Sequence, residues 1–120
     1  MIVCIDLDKT ITADPEYFRA EMDGHRAAGH RVHVLSAMEE GTANNAALLA
    51  KSSLLHELGL GNSYDRLAVV DGPHDAVPAN KVEYMRAVGA GHLIDNRKDT
   101  CRAVKKAGLT AHRVMGPKGS

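Results

Sequence analysis

The residues best suited to chemistry lie at the start of the chain, in Ile2-Val3-Cys4-Ile5-Asp6-Leu7-Asp8-Lys9-Thr10. Four apolar residues run into two carboxylates spaced i, i+2, and a threonine follows two places later. A short apolar run rich in β-branched residues reads as a buried strand. Asp6 then stands at its C-terminal end, the edge where open α/β sheets bind ligands. If the extended geometry lasts one residue further, Asp6 and Asp8 aim the same way. Carboxylates that close repel each other, and a cation between them or a proton on one of them relieves the repulsion. Taken alone, the stretch reads equally well as a strand followed by an acidic turn.

The elements that position these carboxylates follow from the pattern of the rest of the chain. Asp14-Pro15 is a helix start, with Asp14 as cap and Pro15 at the first helical position. Phe18, Met22 and Ala28 mark one face of that helix, which ends near Gly29. Residues 31–36 form a second strand that stops at Ser36. Glu39-Glu40-Gly41-Thr42 opens the longest helix. Ala47, Ala50, Leu54 and Leu58 line its apolar stripe, Leu48 and Leu55 widen it, and Gly59 and Gly61 end it.

Residues 67–70 form a third strand. Residues 71–80 read as a loop of about ten residues, long against the usual 4–6, and long loops are often functional. A helix from about Asn80 carries Val82, Met85 and Val88 on one side. Residues 92–94 form a fourth strand ending at Asp95. Residues 100–106 form a fourth helix with Cys101 and Val104 inward, and residues 110–114 a last strand. Strict β-α alternation argues a parallel sheet with helices on both faces and right-handed crossovers.

Parallel strands all end at one edge. Asp6, Ser36 and Asp95 close three of them and would meet at one crevice, with Lys81 before the fourth strand and Asp99 four residues beyond Asp95. Singly, each has a plainer reading. Ser36 suits a helix cap, Lys81 a solvated helix position, Asp95 or Asp99 the cap of the fourth helix, and Arg97 either a phosphate or solvent.

With these four positions in order, the chain resembles the haloacid-dehalogenase-like (HAD) phosphohydrolases over nearly its whole length. The resemblance rests on Asp6-Leu7-Asp8-Lys9-Thr10, on Val34-Leu35-Ser36, on Asn80-Lys81 and on Ile94-Asp95-Asn96-Arg97-Lys98-Asp99. A narrower resemblance, to the phosphatase domains of phage polynucleotide kinase/phosphatases, rests on Ile94-Asp95-Asn96-Arg97, Glu40-Gly41-Thr42 and the ending from Val114 to Gly119. The chain departs from those domains after Ser36, where Ala37-Met38 replaces their usual Gly-Arg.

The resemblance implies a Rossmann-like (HAD) three-layer α/β sandwich with a five-stranded parallel sheet and no cap domain. Residues 1–115 would be one phosphatase domain and 116–120 a flexible tail. It implies a phosphoric monoester hydrolase working through an aspartyl-phosphate. Asp6 would be the nucleophile and Asp8 the general acid and base. Mg²⁺ would be the cofactor, with Asp6, Asp95 and the Asp8 backbone carbonyl as ligands. Ser36, Lys81, Thr10 and Arg97 would serve the phosphate, and Asp99 would orient a metal water or brace Lys81. The implied substrates are phosphorylated, with nucleotides and 3′-phosphorylated polynucleotide ends in view. Two alternatives stand beside this: a non-catalytic binding or regulatory module on the HAD fold, and a phosphotransferase.

Composition bounds the rest. In 120 residues, 44% are hydrophobic and 25% charged, ordinary proportions for one globular domain. Lys plus Arg equals Asp plus Glu at 15 each, so bulk charge steers no partner. With no Trp and one Phe the core must be aliphatic. Cys4 and Cys101 read as small core hydrophobes without a disulfide. No apolar stretch approaches the roughly 20 residues that span a bilayer. The first strand starts at once, with no room for a signal peptide. The expectation is a cytoplasmic protein. His25, His30 and His33 straddle a helix end and a strand start and read as surface or packing residues. His74 and Asp75 sit in the long loop, where they could border the crevice.

Overall fold

The computed structural model describes residues 1–115; the expected tail at 116–120 lies outside them. Five strands, β1 (Ile2–Ile5), β2 (Arg31–Ala37), β3 (Arg66–Val70), β4 (His92–Asp95) and β5 (Thr110–Arg113), alternate with four helices, α1 (Pro15–Ala27), α2 (Asn45–Glu57), α3 (Val77–Val88) and α4 (Lys98–Lys106). The strands form one sheet in the order β3-β2-β1-β4-β5, and every pairing is parallel. This is the expected Rossmann-like α/β fold, and no cap domain interrupts it among the described residues.

Burial shows why these segments fold as they do. Side chains alternate along each strand, so β1 sends Val3 and Ile5 to one face and Cys4 to the other. On the first face they meet Phe18 and Met22 of α1 and Leu55 of α2. On the second, Cys4, Leu35 and Leu93 meet Met85 of α3 and Val104 of α4. The sheet is thus the middle of three layers. Cys4 and Cys101 are both buried and unbonded. Burial pushes the Cys4 thiol up to about 12 and the Cys101 thiol up to about 11.

Three helix starts differ from expectation. α2 begins at Asn45, not at Glu39, because Asn44 Oδ1 caps it by accepting from Ala47 N at 2.8 Å. Gly41, at φ +117°, lies in the preceding loop, where its carbonyl accepts from Gly72 N at 2.7 Å. α3 begins at Val77, a turn earlier than expected, after a short 3₁₀ turn at His74–Ala76. The ten-residue loop therefore shrinks to a few residues. α4 likewise starts at Lys98. By contrast, Asp14 caps α1 as expected, accepting from Tyr17 N at 3.2 Å. Ala28 and Ala50 are exposed and Leu48 is 38% exposed, so the apolar stripes of α1 and α2 are narrower than the sequence implies.

Candidate functional site

β1 and β4 are neighbours at the centre of the sheet, where the chain reverses its direction of winding. That switch point is where open α/β sheets form their ligand crevice. Asp6 follows β1 and Asp95 ends β4, so both carboxylates stand there, and Ser36 stands on β2. A cavity of about 380 Å³ opens at this edge, with Asp6, Asp8, Lys81, Asp95, Asn96 and Arg97 in its walls.

Lys81 is the hub. Its Nζ lies 2.8 Å from Asp6 Oδ1 and 2.9 Å from Asp95 Oδ2. All three side chains are nearly sealed from solvent. Two negative charges thus face one positive charge in a poorly solvated place. Burial pushes the Asp6 carboxyl up to about 6, with Lys81 opposing and Asp95 adding to the rise. Burial works against the Lys81 ammonium, but Asp6 and Asp95 hold it above its ordinary range.

The first loop is built to hold Asp6. The chain turns at residues 7–10, with Lys9 in the left-handed region at φ +62°. Lys9 N donates to Thr12 Oγ1 at 2.9 Å, and Leu7 drops into the core. Thr10 Oγ1 then donates to Asp6 Oδ2 at 3.0 Å. Asn96, which the sequence reading passed over, completes this hold. With its amide nitrogen turned inward it reaches Asp6 Oδ2 at 3.1 Å, Asp95 Oδ1 at 3.3 Å and Thr10 Oγ1 at 3.2 Å.

Asp8 lines the same cavity but is exposed. It accepts from Ser36 Oγ at 3.3 Å and pairs with Lys51 Nζ at 2.9 Å. Lys51 comes from α2, and nothing in its local sequence marked it out.

Arg97 lies across the mouth. Its Nε and one terminal nitrogen grip Asp99 at 2.7 and 2.9 Å, and the latter also donates to the His74 carbonyl at 2.6 Å. Its other terminal nitrogen faces Glu39 at 3.6 Å, and Glu39 also pairs with His74 Nδ1. Burial works to raise Asp99, but Arg97 holds it below the ordinary carboxylate range. Asp99 therefore pairs with Arg97, and the brace on Lys81 comes from Asp6 and Asp95. His74 borders the crevice, as expected for its loop, whereas Asp75 is not part of the lining.

Mg²⁺ takes hard oxygen ligands, one or two carboxylates sufficing beside water and phosphate. Among the described residues no three His, Cys, Asp or Glu side chains come together so as to hold a metal ion by themselves. Asp6 and Asp95 nevertheless supply the right donor atoms, and their excess of negative charge over Lys81 fits a cation.

The comparisons with known proteins bear on the family. No family model and no curated protein matches the chain. A solved structure does: a universal stress protein from Archaeoglobus fulgidus. The likeness has a TM-score of 0.56 at 16% identity, over 92% of this chain and 90% of that one. At that identity it establishes the shared fold. It also corrects the family reading, because the matched structure belongs to another α/β family. The assignment to HAD-like phosphohydrolases falls, and with it the likeness to the polynucleotide kinase/phosphatase domains. The hydrolase, phosphatase and aspartyl-phosphate readings that rested on them fall too, and the phosphotransferase alternative with them. The physical reason is general: a doubly wound sheet brings strand-ending polar residues to one edge whatever the family.

Two further expectations meet coarser findings. No helix among the described residues is long and apolar enough to cross a membrane. His25, His30 and His33 do not act together. His33 is buried and bonds Tyr84 Oη at 2.8 Å, while the rings of His25 and His30 lie 6.2 Å apart, tilted by 59°, near the end of α1.

Proposed function

We propose that the crevice is a binding site for a phosphorylated ligand that enters with a divalent cation, Mg²⁺ in the first place. The observation that carries this reading is the buried Asp6–Lys81–Asp95 cluster, in which one ammonium offsets two carboxylates. An arriving cation relieves that imbalance, and a phosphoryl group then supplies the anion the cation needs. Asp6 and Asp95 would hold the cation. When bound, it would neutralise charge on the ligand's phosphoryl oxygens.

The chain's own donors would serve the phosphoryl group. Ser36 Oγ and Lys51 Nζ already meet on the Asp8 carboxylate, so an anion near Asp8 finds a hydroxyl and an ammonium at hand. Asp99 holds the fork of Arg97, so Arg97 would offer a phosphoryl oxygen its other terminal nitrogen, provided Glu39 yields. Thr10 and Asn96 would keep Asp6 aimed. Nucleotides and nucleic-acid ends carry the required group and form the first panel. Two buried, unbonded thiols agree with a reducing cytoplasm.

Calorimetric titration with Mg²⁺, then with inorganic phosphate and mononucleotides in its presence, tests the reading. Binding that needs both partners and is lost in Asp6→Asn is the expected result. Absence of binding overturns it. Mg²⁺-dependent release of phosphate from an aryl phosphate, abolished in Asp6→Asn, also overturns it in favour of turnover.

A further inference from the structure

β3 is an edge of the sheet, paired with β2 alone among the described residues. An edge strand presents unpaired backbone groups, and proteins commonly guard it with charge. The opposite edge is guarded in that way, since β5 carries the exposed His112 and Arg113. On β3 no charge stands between Arg66 and Asp71. The strand reads Leu67-Ala68-Val69-Val70 there, and each of these residues is only half-buried.

The ladder fixes which groups β3 leaves over. The Val70 carbonyl accepts from Met38 N at 2.9 Å, on the β2 side. Backbone groups alternate in direction along a strand, so Ala68 also spends its groups on β2, and Leu67 and Val69 turn theirs outward. Side chains alternate as well. Ala68 and Val70 pack on the same face as Tyr84 of α3, where the Arg66 guanidinium lies 5.8 Å from the Tyr84 ring centre. Leu67 packs on the other face, and Leu48 of α2 borders the edge with it.

Charge is split between the two ends of this edge. Arg66 stands exposed at its start, while the neighbouring Asp65 is taken up by Val32 N at 2.8 Å and Arg26 at 3.4 Å. At its end Asp71 and Glu83 of α3, both exposed, share a hollow with Val69 and Val70. An antiparallel copy of the same edge would bring the basic end of each chain to the acidic end of the other.

We propose that β3 pairs antiparallel with β3 of a second copy of this chain, about a two-fold axis at Ala68. In that register Leu67 of each copy lies opposite Val69 of the other, and their outward N–H and C=O groups bond one another. Ala68 meets its own counterpart at the axis as a non-hydrogen-bonded pair, the closer spacing, which a methyl side chain allows. Arg66 lies opposite Val70 of the other copy, at the end marked by Asp71 and Glu83. The chain has no net charge to oppose this association. The two crevices open at opposite ends of the joined sheet, so both stay accessible.

Sedimentation equilibrium over a concentration series of the full chain reads the association, and a monomer–dimer equilibrium is expected. Arg66→Glu should abolish the dimer, as should Glu83→Arg, because each sets like charges against each other. An equimolar mixture of these two variants should recover it, since opposite charges then face each other at both ends. Both residues are exposed, so the variants leave the core intact. Val69→Pro removes an outward N–H and no bond to β2, and should also give a monomer, with circular dichroism confirming the fold. A wild type that stays monomeric overturns the proposal and leaves the edge to an extended peptide. A dimer that survives Arg66→Glu, or a mixture of the two charge variants that stays monomeric, overturns it too.

Discussion

The ammonium of Lys81 lies 2.8 Å from Asp6 Oδ1, although 75 residues separate the two in the chain. The contact joins the start of α3 to the loop after β1 across the switch point of the sheet. It makes the stability of the fold depend on the charge state of its own crevice.

Removing the lysine is the sharpest test of that dependence. Lys81→Met leaves two buried carboxylates without a counter-charge, and breaking a buried pair on one side costs about 3–5 kcal/mol. Denaturant unfolding should show a loss on that scale. Adding Asp6→Asn to the same chain should recover part of it. A loss below about 1 kcal/mol, the level of an exposed pair, would mean that water screens the cluster.

The pH dependence has a definite sign. The Asp6 carboxyl titrates near 6 in the folded protein against an ordinary 3.8. The folded state therefore takes up its proton more readily than the unfolded chain, and protonation favours folding. Stability should fall as pH rises from about 4 to about 6, by on the order of 2 kcal/mol. Lys81 stays charged throughout this window and adds nothing to the slope. Unfolding curves across that range should be flat for Asp6→Asn relative to the wild type.

Lys51→Ala separates binding from stability. Asp8 is largely exposed, so losing this pair should change unfolding free energy by less than about 1 kcal/mol. The crevice loses a competing positive charge, so Mg²⁺ should bind more tightly and phosphate more weakly. Calorimetry on the variant would show both changes, and equal affinities would place Lys51 outside the site.

Gly72 is a steric keystone beside the crevice, packed against the backbone of Met38 and of the wall residue Glu39. A Cβ there would lie 2.6 Å from the Glu39 carbonyl oxygen and press on that of Met38. Both obstacles are backbone, so Gly72→Ala must push the two loops apart. The expected cost is about 1–3 kcal/mol, the range for overpacking. The Glu39–His74 pair should loosen with it, visible as a changed chemical shift of the His74 ring by NMR.

Local pattern carried the fold. Apolar runs of four to seven residues between amphipathic helices leave little choice but a parallel sheet covered on both faces, and Asp14-Pro15 marked the start of α1 correctly. It misjudged α2 and α3, because Glu39-Glu40-Gly41-Thr42 looks like a helix start until Asn44 is seen to cap the helix and Gly41 to bond Gly72. It brought Asp6, Ser36, Lys81 and Asp95 to one edge because strand ends are legible from hydrophobicity alone. It also suggested a family that the comparison with a universal stress protein corrects, since strand-end carboxylates belong to the architecture as much as to any one chemistry.

What the sequence by itself determined is the set of elements and the edge at which their polar ends gather, for both follow from periods of two and 3.6 residues. The tertiary structure alone decided the partners. Lys81 sits between Asp6 and Asp95, Asn96 turns in on Asp6, Lys51 answers Asp8, and Arg97 takes Asp99 rather than leaving it to Lys81. His25 lies beside His30, while His33 turns to Tyr84. Such pairings depend on which strands lie side by side and which way each side chain leaves its element. Those are set by packing over the whole sheet, and no local stretch of sequence contains them.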